Sequence, residues 1–385
     1  MYLCKIFRRY IQPHNMKIQA FKAILPILTK IDASEAFFES VREKFTDYEK
    51  EGFFQQEEEK SVYFYEIKNE TRSHFGVVAA LDLADFEDGK IKKHEKTLLE
   101  KERQQMSLLI ERGAMVKPVL LTYRAVPLLQ NFMKTYTSNN EPYITYSFQN
   151  GKEIHRFWKI NEVEKITKLQ DFFKNNIPFT YVADGHHRLT TNVLLHKTMQ
   201  SEGEGEYYNQ VYCAFFADED LAIGAFNRTV NIDVEDFLTK IKSVAEELEN
   251  TNAKPIAKYN FSVFYKNEWK SFTWKKAVLD AFEATGKVLL DVDILNEKVL
   301  KSILGIEDIR KDERILYVEG AKGTAALEKI CQENAAKIAF SLFPVAIEDL
   351  MKVSDEDGTM PPKSTFFEPR MKNGIMIQGL PIDNK

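Results

Sequence analysis

What this chain lacks narrows what it does. It has only three cysteines, Cys4, Cys213 and Cys331, far apart and in no zinc or redox spacing. So odd and sparse a set fits a reducing compartment and predicts a cytoplasmic protein. No apolar run approaches the roughly 20 residues that cross a bilayer, so no membrane span is expected. Met1 to Asn15 carries basic residues but no apolar core of signal-peptide length. Residues 1–16 are therefore expected to be a tail or a mis-called start. Positive charge is not in excess: 53 Lys and Arg against 58 Asp and Glu leave a net charge of −5. That balance argues against general nucleic-acid binding. P-loop, dinucleotide fingerprint, Ser-centred nucleophile elbow and His-Glu-x-x-His are all missing. Zinc hydrolysis loses its usual motif with the last of these. Internal repeats and low-complexity tracts are missing too.

What is there reads as globular: 385 residues, 44% hydrophobic and 29% charged, enough for two or three domains. Ala33 to Glu51 has Phe37, Phe38, Val41, Phe45 and Tyr48 near helical spacing. Ser61 to Ile67 and His74 to Leu83 read as paired strands around Asn69–Arg72, and Asp85 to Gly89 as an acidic turn. Lys92 to Arg112 reads as one helix stopped by Gly113. Val116 to Tyr123 is a strand and Val126 to Tyr136 a helix. Tyr143 to Phe148 and Glu153 to Ile160 form a hairpin, since Asn150-Gly151 between them is a strong turn signal. A helix over Asn161 to Lys174 follows. Farther on, Val211 to Ala217 and Ala225 to Ile232 are strands, and Val234 to Glu249 a helix. Thr251 to Pro255 looks like a boundary, which divides the chain into an α+β region, 17–254, and a C-terminal α/β region, 255–385. In the latter, 258–265, 269–274, 338–342 and 365–368 are expected as strands, 294–304 and 323–333 as helices, and 374–378 as the closing segment. Hairpins mixed with crossover helices predict an α+β fold with mixed sheets.

The stretch that organises the rest runs from Thr180 to Thr191. Phe179 to Val182 is aromatic and β-branched, as in a buried strand. Leu189 to Met199 reads as a helix, and Asp184-Gly185 as the turn between them. His186, His187 and Arg188 therefore fall in the first turn of a helix. The free N–H groups and dipole there already favour an anion, and cations beside them are unfavourable unless something negative binds. A phosphate or carboxylate ligand is one reading. The plain alternative is a capped helix with solvated side chains, Asp184 serving as N-cap. The two histidines are adjacent on the helix, so their side chains diverge and do not easily chelate one ion.

Two other places carry candidate chemistry. His94-Glu95 falls at or near the start of the 92–112 helix. A glutamate there is first a dipole-compatible residue; the sharper reading makes Glu95 a general base, with His94 its rival. Pro361-Pro362-Lys363-Ser364-Thr365 is a Pro-stiffened loop that either closes over an anion through Lys363 or simply enters an edge strand.

These segments together resemble a known family, that of domain of unknown function 1015. Asp184-Gly185-His186-His187-Arg188 with Leu189, Thr190 and Thr191 is similar to its signature. Phe86 to Thr97, with its acidic-Gly turn and His94-Glu95-Lys96-Thr97, resembles a second block. Asp293 to Asn296 resembles a third, and Met360 to Phe367 a fourth. The blocks keep the family's order from about Phe21 onward. Asn227-Arg228 stands where the family usually carries His-Arg, and the Pro-Tyr-Asp type segment expected soon after Leu28 is missing.

The motifs are also similar to those of free-serine kinases on a ParB/sulfiredoxin-like nucleotide-binding fold. The resemblance implies a small-molecule kinase, moving a phosphoryl group from ATP or ADP to a hydroxylated metabolite, L-serine first among them. It makes Glu95 the residue that takes the serine proton. It makes Asp184, Gly185, His186, His187, Arg188, Thr191 and Lys363 the nucleotide- and phosphate-binding set. Mg²⁺ is implied with the nucleotide, Asp184 being one candidate ligand and Asp88 a weaker one. Two other readings compete: a regulatory switch that binds and hydrolyses a nucleotide, and a non-catalytic scaffold.

Overall fold

The computed structural model describes residues 16–97, 99–333 and 336–381. The expected tail lies outside the described residues except for Met16. Contacts divide the chain into two compact units: Met1–Leu221 with Pro369–Lys385, and Ala222–Glu368. The division falls at Leu221 and not near Pro255 because the strand Ala222–Val230 pairs with Ile315–Glu319, Ile338–Leu342 and Thr365–Glu368. The second unit is thus an excursion from the first, which takes up the chain again at Pro369.

The α+β expectation is met. The first unit is built on a nine-stranded mixed sheet. From one edge its strands are Ile91–Lys92, Thr180–Asp184, Val119–Tyr123, Gln210–Ala217, Ser73–Asp82, Val62–Lys68, Glu153–Ile160 and Ile144–Phe148, with Ile18–Gln19 also on Ser73–Asp82. Its middle strands read as continuous apolar runs because both faces are covered. Val62 to Tyr65, Val77 to Leu81 and Val211 to Ala217 are all buried. The Asn-Gly hairpin forms as expected, with Phe148 opposite Glu153 and positive φ at Gln149, Asn150 and Gly151. A four-stranded sheet joins Phe54–Gln56, Ala23–Pro26, Ile377–Gly379 and Ala114–Met115. Helix Glu35–Lys50 lays Val41 and Phe45 against it, in a cluster with Ile24, Phe54, Val116 and Ile377. Burial of each such side chain stabilises the unit by roughly 1.5–3 kcal/mol.

The second unit is organised on a seven-stranded antiparallel sheet. Phe261 stacks on Trp274 at 4.1 Å, and the Trp274 indole donates to the buried Asp291 carboxylate at 2.9 Å. Helices Lys276–Glu283 and Ile347–Asp355 and the strand Ile315–Glu319 were not anticipated. The expected helix 234–249 is shorter, Phe237–Val244. Its last turn gives way to the strand Ala245–Glu247, because the edge of Glu268–Trp274 offers hydrogen bonds there. No described helix is long and apolar enough to cross a membrane.

Candidate active site

Strand pairing builds the site. Ile91–Lys92 lies parallel to Thr180–Asp184, with Thr180 beside Ile91 and Tyr181 beside Lys92. Parallel neighbours leave a sheet at the same end. The segment after Lys92 therefore emerges beside Asp184 and His186. The expected helix from Lys92 begins only at Leu99. Lys92 is a strand residue because Tyr181 pairs with it, and His94 and Glu95 sit in the bend between. Upstream, the fully buried Asp85 anchors this segment, accepting from Lys90 Nζ at 2.7 Å and from the Lys17 backbone N–H at 2.6 Å.

At the meeting point the His94 and His186 rings pack edge to face, centroids 4.4 Å apart. The half-exposed Glu95 places Oε2 3.5 Å from His186 Nδ1. Burial holds His94 down to about 4 and, with the neighbouring His94, holds His186 well below the usual range. At neutral pH these two rings are uncharged. Of the three potential cations at this helix start, His186 thus brings no charge at neutral pH.

Helix His186–Ser201 starts without a side-chain cap. The N-cap position belongs to Gly185, at φ 101°, and not to Asp184 as the plain alternative had it. The Arg188 side chain folds back over this glycine. A Cβ at Gly185 would lie 2.7 Å from Arg188 Nη2. That same nitrogen donates to Asp184 Oδ2 at 2.7 Å. The first helical hydrogen bond runs from the Leu189 N–H to the Gly185 carbonyl at 2.9 Å. Donors before it have no intrahelical acceptor. His186 Nε2, His187 Nδ1, Arg188 Nε and Thr191 Oγ1 are buried atoms without a hydrogen-bond partner among the described residues. Buried polar atoms without a partner call for an explanation, and four of them fall in the first two turns of this helix.

A cation that sequence reasoning missed completes the cluster. Val119–Tyr123 runs antiparallel to Thr180–Asp184 with Leu120 opposite Asp184, across an irregularity after Val182. Lys117, just before this strand, therefore reaches Asp184, its Nζ 3.8 Å from Oδ2. Burial, with Arg188, Arg370 and Arg42 nearby, pushes the Lys117 amine down to about 8 against the pull of Asp184. Burial alone would raise the Asp184 carboxyl, but Arg188 and Lys117 bring it down to about 2. The only local hint was a lysine entering an otherwise apolar strand.

This donor set does not fit a protein-held Mg²⁺. Among the described residues no three His, Cys, Asp or Glu converge on one point. Asp184 is already flanked by two cations, where a third would be repelled. Asp88, the weaker candidate, pairs with Lys90 at 3.1 Å. Lys363 lies in the second unit, with Nζ 5.4 Å from the Phe226 ring centroid. Its carbonyl accepts from the buried Arg228 at 3.1 Å. Asn227 of that same strand accepts the Leu342 backbone N–H at 3.1 Å. Glu95, His94, Asp184, Gly185, His186, His187, Arg188 and Thr191 are all residues of the first unit.

The family model described as "Protein of unknown function (DUF1015)" matches residues 20–295. No curated protein matches the chain. Among solved structures, a free serine kinase variant in complex with ADP is 15% identical, with 78% of this chain and 90% of that one covered at a TM-score of 0.37. SbnI with a C-terminal truncation, from Staphylococcus aureus, is 15% identical over 74% of this chain and 82% of that one, at 0.39. A conserved hypothetical protein from Pyrococcus furiosus is 14% identical over 78% and 95%, at 0.36. These similarities are too distant to give any residue a role.

Proposed function

The chain belongs to the DUF1015 family of proteins of unknown function, and we propose that it transfers a phosphoryl group from ATP or ADP to the hydroxyl of a small metabolite. What carries the reading is the approach of the half-exposed Glu95 to His186 at 3.5 Å, at the start of a cation-bearing helix. That approach sets a carboxylate that can accept a proton beside a turn suited to phosphates. On this reading the nucleotide phosphates lie on the free N–H groups before Leu189, with Arg188 beside them. The acceptor oxygen bonds the transferred phosphorus. The bond from that phosphorus to the nucleotide's bridging oxygen breaks, and the nucleotide departs with the electron pair. Glu95 takes the hydroxyl proton. His94 is the poorer base because it is buried, whereas Glu95 reaches solvent. Holding base and phosphates in place is the main task in such a transfer.

L-serine is the first acceptor to test, since the His94-Glu95 and Asp184–Arg188 motifs resemble those of free-serine kinases. A ParB/sulfiredoxin-like nucleotide-binding core belongs to the same reading. The cytoplasm is its proposed setting, supported by the unbridged Cys213 and Cys331. A second reading draws on the exposure of Glu95: water in place of the metabolite would make the protein a nucleotide-hydrolysing switch. The deciding experiment incubates the protein with ATP or ADP and a panel of hydroxylated amino acids, with and without added Mg²⁺. Phosphoserine or another phosphorylated acceptor is the expected product. Nucleotide hydrolysis with no phosphorylated acceptor selects the switch, and neither product sinks both readings.

A further inference from the structure

We propose that Lys117 is a phosphate-binding residue of this site, and that the Asp184 carboxylate is a tethered stand-in for the anion that Lys117 and Arg188 receive. The inference rests on the reading of this helix start as a phosphate site. Two cations from different elements converge on one oxygen, Asp184 Oδ2, which is 2.7 Å from Arg188 Nη2 and 3.8 Å from Lys117 Nζ. The second distance is too long for a hydrogen bond. No other described residue hydrogen-bonds Lys117 Nζ, although the side chain is only 25% exposed. An ammonium offers three donors. Among the described residues none of the three meets an acceptor within hydrogen-bond distance.

The charges around Lys117 favour a phosphate oxygen beside it. The Lys117 amine feels the charges of Asp184 and Arg188 from the strand–turn–helix, of Arg42 from helix Glu35–Lys50, and of Arg370 from the returning C-terminal segment. That segment is held beside it, the Gly374 N–H donating to the Val116 carbonyl at 2.8 Å. Lys117 and Arg188 share one carboxylate oxygen, so this pair keeps a positive charge. Such a pair favours an anion of more than one charge. An incoming phosphate would take the Asp184 oxygen's place between Arg188 and Lys117, and Asp184, half-exposed, would turn outward to solvent. Asp184 then keeps the two cations apart and oriented, and competes with the ligand for them.

Inorganic pyrophosphate is the probe, and calorimetry on the full chain is the measurement. Lys117→Met keeps the buried stem and removes the charge, and should weaken binding by about ten-fold or more. Lys117→Arg should restore most of that loss. Asp184→Asn should tighten binding several-fold by removing the competitor. Thermal unfolding of each variant checks that it folds, and Lys117→Arg carries the comparison if the methionine variant does not. If Arg188→Ala weakens binding while Lys117→Met does not, Lys117 is no ligand and the phosphate site survives. Weaker binding in Asp184→Asn overturns the stand-in role. A wild-type protein that binds no pyrophosphate overturns the phosphate site and this inference with it.

Discussion

His94 and His186 meet edge to face at 4.4 Å although they follow two different strands of the sheet. The contact has a pH signature. Both rings are held neutral by burial, His94 down to about 4 against 6.5 in an open chain. Between those values the unfolded chain binds protons that the folded one refuses. Stability is therefore full above pH ~6.5 and is lost as pH falls towards ~4. Urea midpoints of wild type and His94→Gln, taken from pH 7.5 to 4.5, should converge as pH falls. Parallel pH profiles would mean that His94 does not carry the effect.

Arg188→Ala should weaken binding of both ADP and ATP by about ten-fold or more, since hydrogen bonds to charged groups contribute roughly 1.5–3 kcal/mol. Unchanged calorimetric affinity for both nucleotides would remove Arg188 from the phosphate site.

Glu95→Gln should lower turnover by roughly 10²–10⁴ while leaving nucleotide affinity nearly intact, because the amide keeps the size but loses the basicity. His94→Asn, assayed beside it with nucleotide and L-serine, should cost less. Loss of activity in the histidine variant alone would reverse the two roles.

Gly185→Ala attacks the turn itself. At φ 101° a Cβ is strained, and it would also strike the Arg188 guanidinium at 2.7 Å. A left-handed conformation costs an L-residue about 1–2 kcal/mol. The variant should lose roughly that much stability in denaturant titrations, and phosphate affinity as Arg188 is pushed aside. A variant equal to wild type in both measurements would show that the turn tolerates a side chain.

Local pattern made some of this legible. The strand–turn–helix around Gly185 and the Asn150-Gly151 hairpin follow from neighbours in the chain, and both stand as read. The His94-Glu95 bend was hidden because Ile91–Lys92 is a two-residue strand, too short for any period, and its identity depends on Tyr181 far along the chain. Lys117 was hidden for the same reason, since the register of Leu120 on Asp184 decides where it points. Glu247 reads as the end of a helix until the edge strand it joins is known. Motif resemblance placed Glu95 and Asp184 in one mechanism; the parallel pairing is the physical reason that Glu95 comes beside His186.

The return of the chain at Pro369 has a consequence for biosynthesis. Ile377 pairs with Ile24 and is wholly buried, between strands that leave the ribosome long before it does. Until residues 222–368 have been translated, Ala23–Pro26 and Ala114–Met115 wait with open edges and an uncovered apolar cluster. Such edges invite mispairing with other chains. Ile377–Gly379 is thus a latch on the first unit, and it can close only after the whole second unit has been made.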